Sequence, residues 1–192
     1  MSLVRILATA ALLLVAAGCG STSTTGSSGP VVPAGLLSAS EVPGVPYKTK
    51  VLTIADLAKD AAIPGLPSML TSWGYVQGAE RTFQGESRHL TYVVSRSLVF
   101  NDASGAAAYV EFVHSHVTDF FGVATVDRLD AQSRAGWRFT PSACACHMAN
   151  PVVVGLVSSG PDVAWLEING PDATPDLLVS LMDPAKSVPP SS

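Results

Sequence analysis

The feature that most constrains the fold is an abrupt change of hydrophobic periodicity near the middle of the chain. Between Leu90 and Phe100, apolar or aromatic residues occupy every second position, with Arg96 as the exception. Such alternation is typical of a strand that packs one face on a core. Asp102 is a suitable N-cap, and apolar residues then recur three or four positions apart as far as Gly122, which predicts one long helix. A strand leading directly into a long helix requires a sheet with a helical layer.

The other segments are predicted to be shorter strands and helices around this unit. Further strands are predicted at 47–54, 75–85, 123–129, 136–150, 152–159 and 163–169. Helices or single helical turns are predicted at 36–44, 55–62, 67–73 and 174–182. Two hairpins follow from the turn residues, one joining 75–85 to the central strand and one around 159–162. The order predicts an α+β fold, an antiparallel sheet with helices packed on one face.

Length and composition limit the folded part to one domain. The chain has 192 residues, of which 14% are charged, and its net charge is −4. We expect a single α+β domain over 36–183 and a disordered tail over 184–192. Lys and Arg form no cluster that could neutralise a phosphate backbone, so nucleic acid is not an expected partner.

The N-terminus has the composition of an export signal. Arg5 is the only charge before Cys19, and the apolar run 6–17 leads into small residues. As a helix, this run would be about 18 Å long, whereas the hydrocarbon core of a bilayer is about 30 Å thick. The sequence therefore indicates a signal peptide over 1–18 rather than a retained spanning helix.

The end of this segment, AAGC at 16–19, resembles the bacterial lipoprotein box, in which small residues precede an invariant cysteine. Ala16 stands where Leu or Val is usual. The resemblance implies cleavage before Cys19, a diacylglyceryl thioether on its sulfur, and acylation of the new amine by a fatty acid such as palmitate. Two or more acyl chains attach a protein stably to a membrane. An ordinary secretory signal that happens to contain a cysteine is the alternative.

Residues 19–35 continue this interpretation as a lipidated cysteine plus a flexible tether. Gly, Ser and Thr dominate the stretch after Cys19, and no charge occurs in it. Such a segment cannot bury enough apolar surface to offset its ordering entropy. We therefore expect the membrane to be a partner through the lipid anchor at Cys19, with the domain on the extracytoplasmic face of the cell membrane.

The layout is similar to the small α+β domains of exported lipoproteins of high-GC Gram-positive bacteria. In those domains a strand ends in Phe, and a "DA…GA" sequence enters a long helix, as at 100–106 here. The similarity covers about residues 75–170. It implies a noncatalytic sensor-like or ligand-binding module, and it transfers no active-site residues.

Cys144 and Cys146 are separated by one residue, and a disulfide between them is the first hypothesis. Thiols tend to oxidise outside the cytosol. In a regular strand, residues two apart lie about 7 Å apart at Cα, and bridged cysteines commonly lie about 4.4–6.8 Å apart. A bridge would therefore require a bend, for which Pro141 and Pro151 provide an opportunity. Two buried thiols, an intermolecular disulfide and thiol redox chemistry remain alternatives.

A metal site is a further alternative for the same cluster. Cys144, Cys146 and His147 offer donors that suit Cu(I) or zinc, and Met148 adds a thioether. His147 and Met148 would alternate faces on a strand, so all four donors converge only if the loop folds back. Our leading expectation is therefore no metal and no cofactor.

No catalytic motif is recognisable in the rest of the sequence. His114 and His116 lie about 200° apart around the predicted helix, as solvated residues would, and the Gly-x-Ser-x-Gly motif of serine hydrolases does not occur. The leading hypothesis is a membrane-anchored extracytoplasmic lipoprotein that is not an enzyme and binds an apolar ligand or an envelope protein. An envelope metal-binding or thiol protein is the alternative, and an enzyme of unrecognised type is a third hypothesis.

Overall fold

The computed structural model describes residues 35–42, 45–87, 90–131, 134–142 and 150–182. Within these residues, seven strands form one antiparallel sheet in the order β1-β2-β3-β7-β6-β5-β4. The strands are β1 (Tyr47–Leu52), β2 (Tyr75–Ser87), β3 (Leu90–Phe100), β4 (Ala124–Ala131), β5 (Arg134–Pro141), β6 (Val152–Ser159) and β7 (Asp162–Asn169). The helices are α1 (Ile54–Leu57), α2 (Leu66–Ser72), α3 (Ala103–Ser115), α4 (Val117–Phe121) and α5 (Pro175–Leu181). The broad α+β prediction is confirmed, although the sheet dominates.

The sheet is built from antiparallel neighbours, and its centre is a pairing between β3 and β7. The two predicted hairpins, β2–β3 and β6–β7, are both present. β3 and β7 are distant in sequence, yet Arg96 lies opposite Trp165 and Val94 lies opposite Glu167. This register places charged residues from both hairpins side by side on one face of the sheet.

Both faces of the sheet are covered, so the prediction of helices on one face is wrong. The face that we call the α3 face packs Val154 and Leu156 of β6 against Tyr109 and the other buried residues of α1–α3, with the partly buried side chains of α4 beside them. The opposite face, here the α5 face, packs Val153 of β6 against Leu178 of α5. Because β6 is apolar and buried on both of its faces, a single helical layer could not shield it.

The predicted long helix after β3 is two helices. Asp102 caps α3 as expected, since its carboxylate accepts a hydrogen bond from the backbone N–H of Gly105 at 2.9 Å. His116 has φ −114° and ψ 29°, and it separates α3 from α4. Its ring stacks on Phe112, with 4.1 Å between the ring centroids. The break directs α4 onto the sheet, where Phe120 contacts Trp165.

One other predicted element, the helix at 55–62, is shorter than expected, and two more, at 36–44 and 136–150, lie partly outside the described residues. The segment 36–44 contains a turn, in which the Glu41 carboxylate accepts hydrogen bonds from the backbone N–H and the hydroxyl of Ser38. The helix predicted at 55–62 ends at Leu57, and the strand predicted at 136–150 ends at Pro141 in the described chain. The capping pair at 38–41 therefore closes a turn rather than starting a helix. No helix in the described residues is long and apolar enough to cross a membrane.

Candidate functional site

A cavity of about 290 Å³ opens on the α3 face of the sheet. Its floor consists of residues from the central strands, and its sides come from the segment after α1, from α4 and from the end of β5. The lining residues are Asp60, Arg96, Phe120, Phe121, Pro141, Val152, Val154, Trp165 and Glu167. The sheet register explains the floor, because Arg96 pairs with Trp165 and Glu167 pairs with Val154.

Arg96 is the centre of a charged cluster at one end of the cavity. Its Nη1 and Nη2 donate to Asp60, at 2.6 Å and 3.2 Å, so that both oxygens of that carboxylate are engaged. Its Nε donates to Glu80, the residue opposite it on β2, at 2.7 Å. The side chain of Arg96 is only 14% exposed. All three nitrogens of the guanidinium are therefore committed to these two carboxylates.

The pKa values in this cluster reflect burial and pairing acting in opposite directions. Burial alone would lower the pKa of Arg96, but the nearby carboxylates of Asp60 and Glu80 raise it overall. Burial raises the pKa of Asp60, and the charge of Arg96 only partly opposes this effect. The cluster of one guanidinium and two carboxylates retains an excess of negative charge when both acids are ionised.

Glu167 adds a third carboxylate, and it is the one without a partner. The side chain is half-buried. Burial raises its pKa, Arg96 opposes the rise, and Glu80 and Asp60 reinforce it. Within the part of the chain that the structure describes, Glu167 takes part in no hydrogen bond or ion pair. Its oxygens are therefore available to a molecule in the cavity.

An aromatic wall faces these charges. The ring of Trp165 is 5.6 Å from that of Phe121 and 6.2 Å from that of Phe120, measured between centroids. The guanidinium carbon of Arg96 lies 5.1 Å from the Trp165 ring centroid, in cation–π geometry. Trp165 is 4% exposed. Its buried indole Nε1–H has no acceptor among the described residues, and buried donors of this kind usually have one.

The candidate cysteines and His147 cannot be compared with the cavity, whose lining is known for the described residues. Cys19, Cys144, Cys146 and His147 lie outside the described residues, so the lipid anchor, the disulfide and the metal site stay predictions. In the described ranges, no group of three or more His, Cys, Asp or Glu side chains is arranged to hold a metal ion.

The two helix histidines are described, and they are separate, as expected. The His114 ring stacks on Trp137 with 3.5 Å between centroids, and it is one-third exposed rather than fully solvated. His116 packs on Phe112 and caps the end of α3. Neither of them lines the cavity.

Sequence reasoning noticed Arg96 but not its partners. Arg96 was visible because it interrupts an apolar alternation, which places a charge at an inward-facing strand position. Glu167 carries the same signal, since it continues the two-residue spacing of the buried residues Val163 and Trp165 on one face of β7. Asp60 and Glu80 have no such signal, because their role depends on non-local strand pairing.

Comparison with solved structures gives a fold similarity at low sequence identity. No protein-family model matches the chain, and no curated protein sequence matches it. The chain is similar to the crystal structure of the extracellular domain of PknH from Mycobacterium tuberculosis, with a TM-score of 0.49 and 14% sequence identity. The match covers 77% of this chain and 88% of that chain.

Proposed function

We propose that the protein is a noncatalytic ligand-binding lipoprotein, held at the extracytoplasmic face of the cell membrane through Cys19. Its binding site is the cavity that Trp165 and Arg96 help to line. The observation that carries the proposal is the carboxylate of Glu167, which lines the cavity without a hydrogen-bond or ion-pair partner among the described residues. A half-buried carboxylate without a partner is costly, and a bound molecule would supply one.

The form of the cavity supports ligand binding. Small-molecule sites are concave and mostly apolar, with a few placed polar groups, and typically enclose about 300–1,000 Å³. Here aromatic and aliphatic side chains surround three polar residues, Asp60, Arg96 and Glu167. The volume of about 290 Å³ is at the lower end of that range, which favours a small ligand.

The polar groups are arranged for recognition rather than catalysis. Asp60 and Glu80 are both engaged by Arg96, so neither is a free base. Glu167 has no hydrogen-bonded nucleophile or second acid in the described residues, whereas acid–base catalysis needs a group within hydrogen-bond reach of the reacting proton. A single free carboxylate beside an aromatic wall is suited to orienting a bound molecule.

The anchor follows from the N-terminal sequence. The predicted export signal ends just before Cys19, and sixteen residues of Gly-, Ser- and Thr-rich chain separate that cysteine from residue 36. A flexible chain of this length has a root-mean-square span of about 20–24 Å. The domain would thus lie close to the membrane surface and sample the medium around it.

Detergent-phase partitioning tests the anchor. The wild-type protein, expressed in a bacterium that processes lipoproteins, should enter the detergent phase of Triton X-114, and Cys19→Ala should remain in the aqueous phase. Cys144→Ser is the matched control, because it removes a thiol without removing the acylated residue. Aqueous partitioning of the wild type, or detergent partitioning of Cys19→Ala, would contradict the proposal.

A further inference from the structure

We propose that the cavity selects a small organic cation, an ammonium group attached to an apolar body, over carboxylates and phosphates. The inference rests on the ligand-binding function proposed above and names the chemical class of the ligand. Three features of the cavity carry it: the pairing of Arg96 with two carboxylates, the free carboxylate of Glu167, and the three aromatic rings beside them.

The charge of Arg96, the one cation among the residues that line the cavity, is already balanced by two carboxylates. Anions are usually held by a guanidinium that offers two parallel N–H donors. All three nitrogens of Arg96 already donate to Asp60 and Glu80. Lys50 is opposite Glu80 on the edge strand, but its ammonium pairs with Asp56 instead. An incoming carboxylate would therefore meet a cluster whose acids outnumber its single cation, and the net negative charge would disfavour its binding.

The free carboxylate of Glu167 supplies the attraction for a cation. It lines the cavity without a hydrogen-bond partner in the described residues, next to the excess negative charge of the cluster around Arg96. A half-buried carboxylate has lost part of its hydration, and a cationic partner restores favourable interactions at that group. Burial raises the pKa of Glu167, so a bound cation would favour its ionised form.

The aromatic rings provide a surface that a cation and its apolar body can both use. Trp165, Phe120 and Phe121 contact one another, with centroid separations of 5.6–6.2 Å. Ring faces attract cations, and the ring of Trp165 already makes a cation–π contact with the guanidinium of Arg96. Val152 and Val154 extend the same wall with aliphatic surface. An ammonium beside Glu167 would thus have an apolar wall for the rest of the molecule.

A matched set of three probes tests the selectivity. 2-Phenylethylamine, 2-phenylethanol and 3-phenylpropanoate share one ring and a similar chain, but they are respectively cationic, neutral and anionic at neutral pH. Isothermal titration calorimetry uses the full-length protein in detergent micelles. We expect the amine to bind about tenfold more tightly than the alcohol, since a charged pair is gained, and the carboxylate to bind weakest.

Glu167→Gln identifies the group responsible. The variant should weaken binding of the amine by about tenfold, because its charge partner is lost, and should leave binding of the alcohol nearly unchanged. Glu111→Gln is the matched control, because Glu111 is exposed on α3 and does not line the cavity. If Glu167→Gln fails to fold, the wild type still decides the question. Raising the salt concentration should weaken its binding of the amine more than its binding of the alcohol.

The outcomes separate this inference from the function on which it rests. Tighter binding of the alcohol or the carboxylate than of the amine would overturn the cation selectivity and leave ligand binding in the cavity intact. No measurable binding of any of the three probes would count against both proposals. Equal loss of amine and alcohol binding in Glu167→Gln would overturn the role given to that carboxylate.

Discussion

The guanidinium of Arg96 donates to the carboxylate of Asp60 over 2.6 Å, although the two residues lie 36 positions apart in the chain. The contact ties the segment after α1 to β3, next to the middle strand of the sheet. Glu80 completes the cluster from the neighbouring strand. Because Asp60 and Arg96 both line the cavity, this ion pair also fixes one of its walls.

Replacing Arg96 by Met should strongly destabilise the fold at neutral pH. The substitution leaves two partly buried carboxylates without their partner, and breaking a buried pair in this way costs about 3–5 kcal/mol. Urea unfolding monitored by circular dichroism measures the free energy of unfolding. The cost should shrink in acid, since Asp60, with its raised pKa, is protonated as the pH falls.

Arg128→Met is the matched control for that experiment. Arg128 is 59% exposed and pairs with Glu111 at 3.7 Å, a geometry that contributes at most about 1 kcal/mol. If the two variants lost similar amounts of unfolding free energy, the cluster would not be an energetically coupled unit. A loss in Arg96→Met that does not vary with pH would show the same.

Replacing Glu167 by Gln should stabilise the protein at pH 7. Burial raises the pKa of Glu167 above its usual 4.5, so the folded state holds the proton more tightly than the unfolded chain. Stability therefore falls as the pH rises through the folded-state pKa, and Gln does not carry this cost. Thermal unfolding from pH 4 to pH 8 measures the difference in unfolding temperature between the variant and the wild type. The variant should unfold at the higher temperature at pH 7, and the difference should disappear below about pH 4.5. A constant difference across this range would contradict the expectation.

Gly105 and Gly155 should respond differently to Ala. A Cβ at Gly105 would collide with the backbone carbonyl oxygen of Trp73. At Gly155 it would meet Met182 Sδ at 2.5 Å and Leu178 Cδ2 at 2.9 Å, both ends of flexible side chains. Helix propensity alone would make Gly105→Ala stabilising by about 1 kcal/mol, but we expect a loss of about 1–3 kcal/mol from overpacking.

Gly155→Ala is the comparison within the same protein. Urea unfolding should show that it lowers the free energy of unfolding less than Gly105→Ala does. If Gly105→Ala instead raised the free energy of unfolding, as helix propensity alone predicts, the end of α2 would have to move away from α3. That result would contradict the close packing of these helices described above.

Local pattern was sufficient for much of the fold. The alternation in β3, the helical spacing after Asp102 and the turn residues of both hairpins predicted elements that the structure contains. The prediction of helices on only one face was wrong for a reason that is visible in the sequence. The apolar run of β6 lacks alternation, as is usual for a strand buried on both sides.

The site could not be predicted in the same way. Glu80, Arg96 and Glu167 are brought together by the pairing of β3 with β2 and β7, and Asp60 joins them because the segment after α1 packs on this face. Periodicity identifies which way a residue faces on its own strand, but not which strand lies beside it. The break at His116 was equally hidden, because apolar spacing continues through it.

The indole N–H resonances of the three tryptophans provide the most direct test of the cavity as a binding site. A titration of the ¹⁵N-labelled protein with 2-phenylethylamine should shift the Trp165 signal, assigned by its absence in Trp165→Phe. The signals of Trp73 and Trp137 should not move, since neither residue lines the cavity, and the Trp137 N–H is held by Glu111 at 2.9 Å. A Trp165 signal that stays fixed while the ligand binds elsewhere would contradict the account.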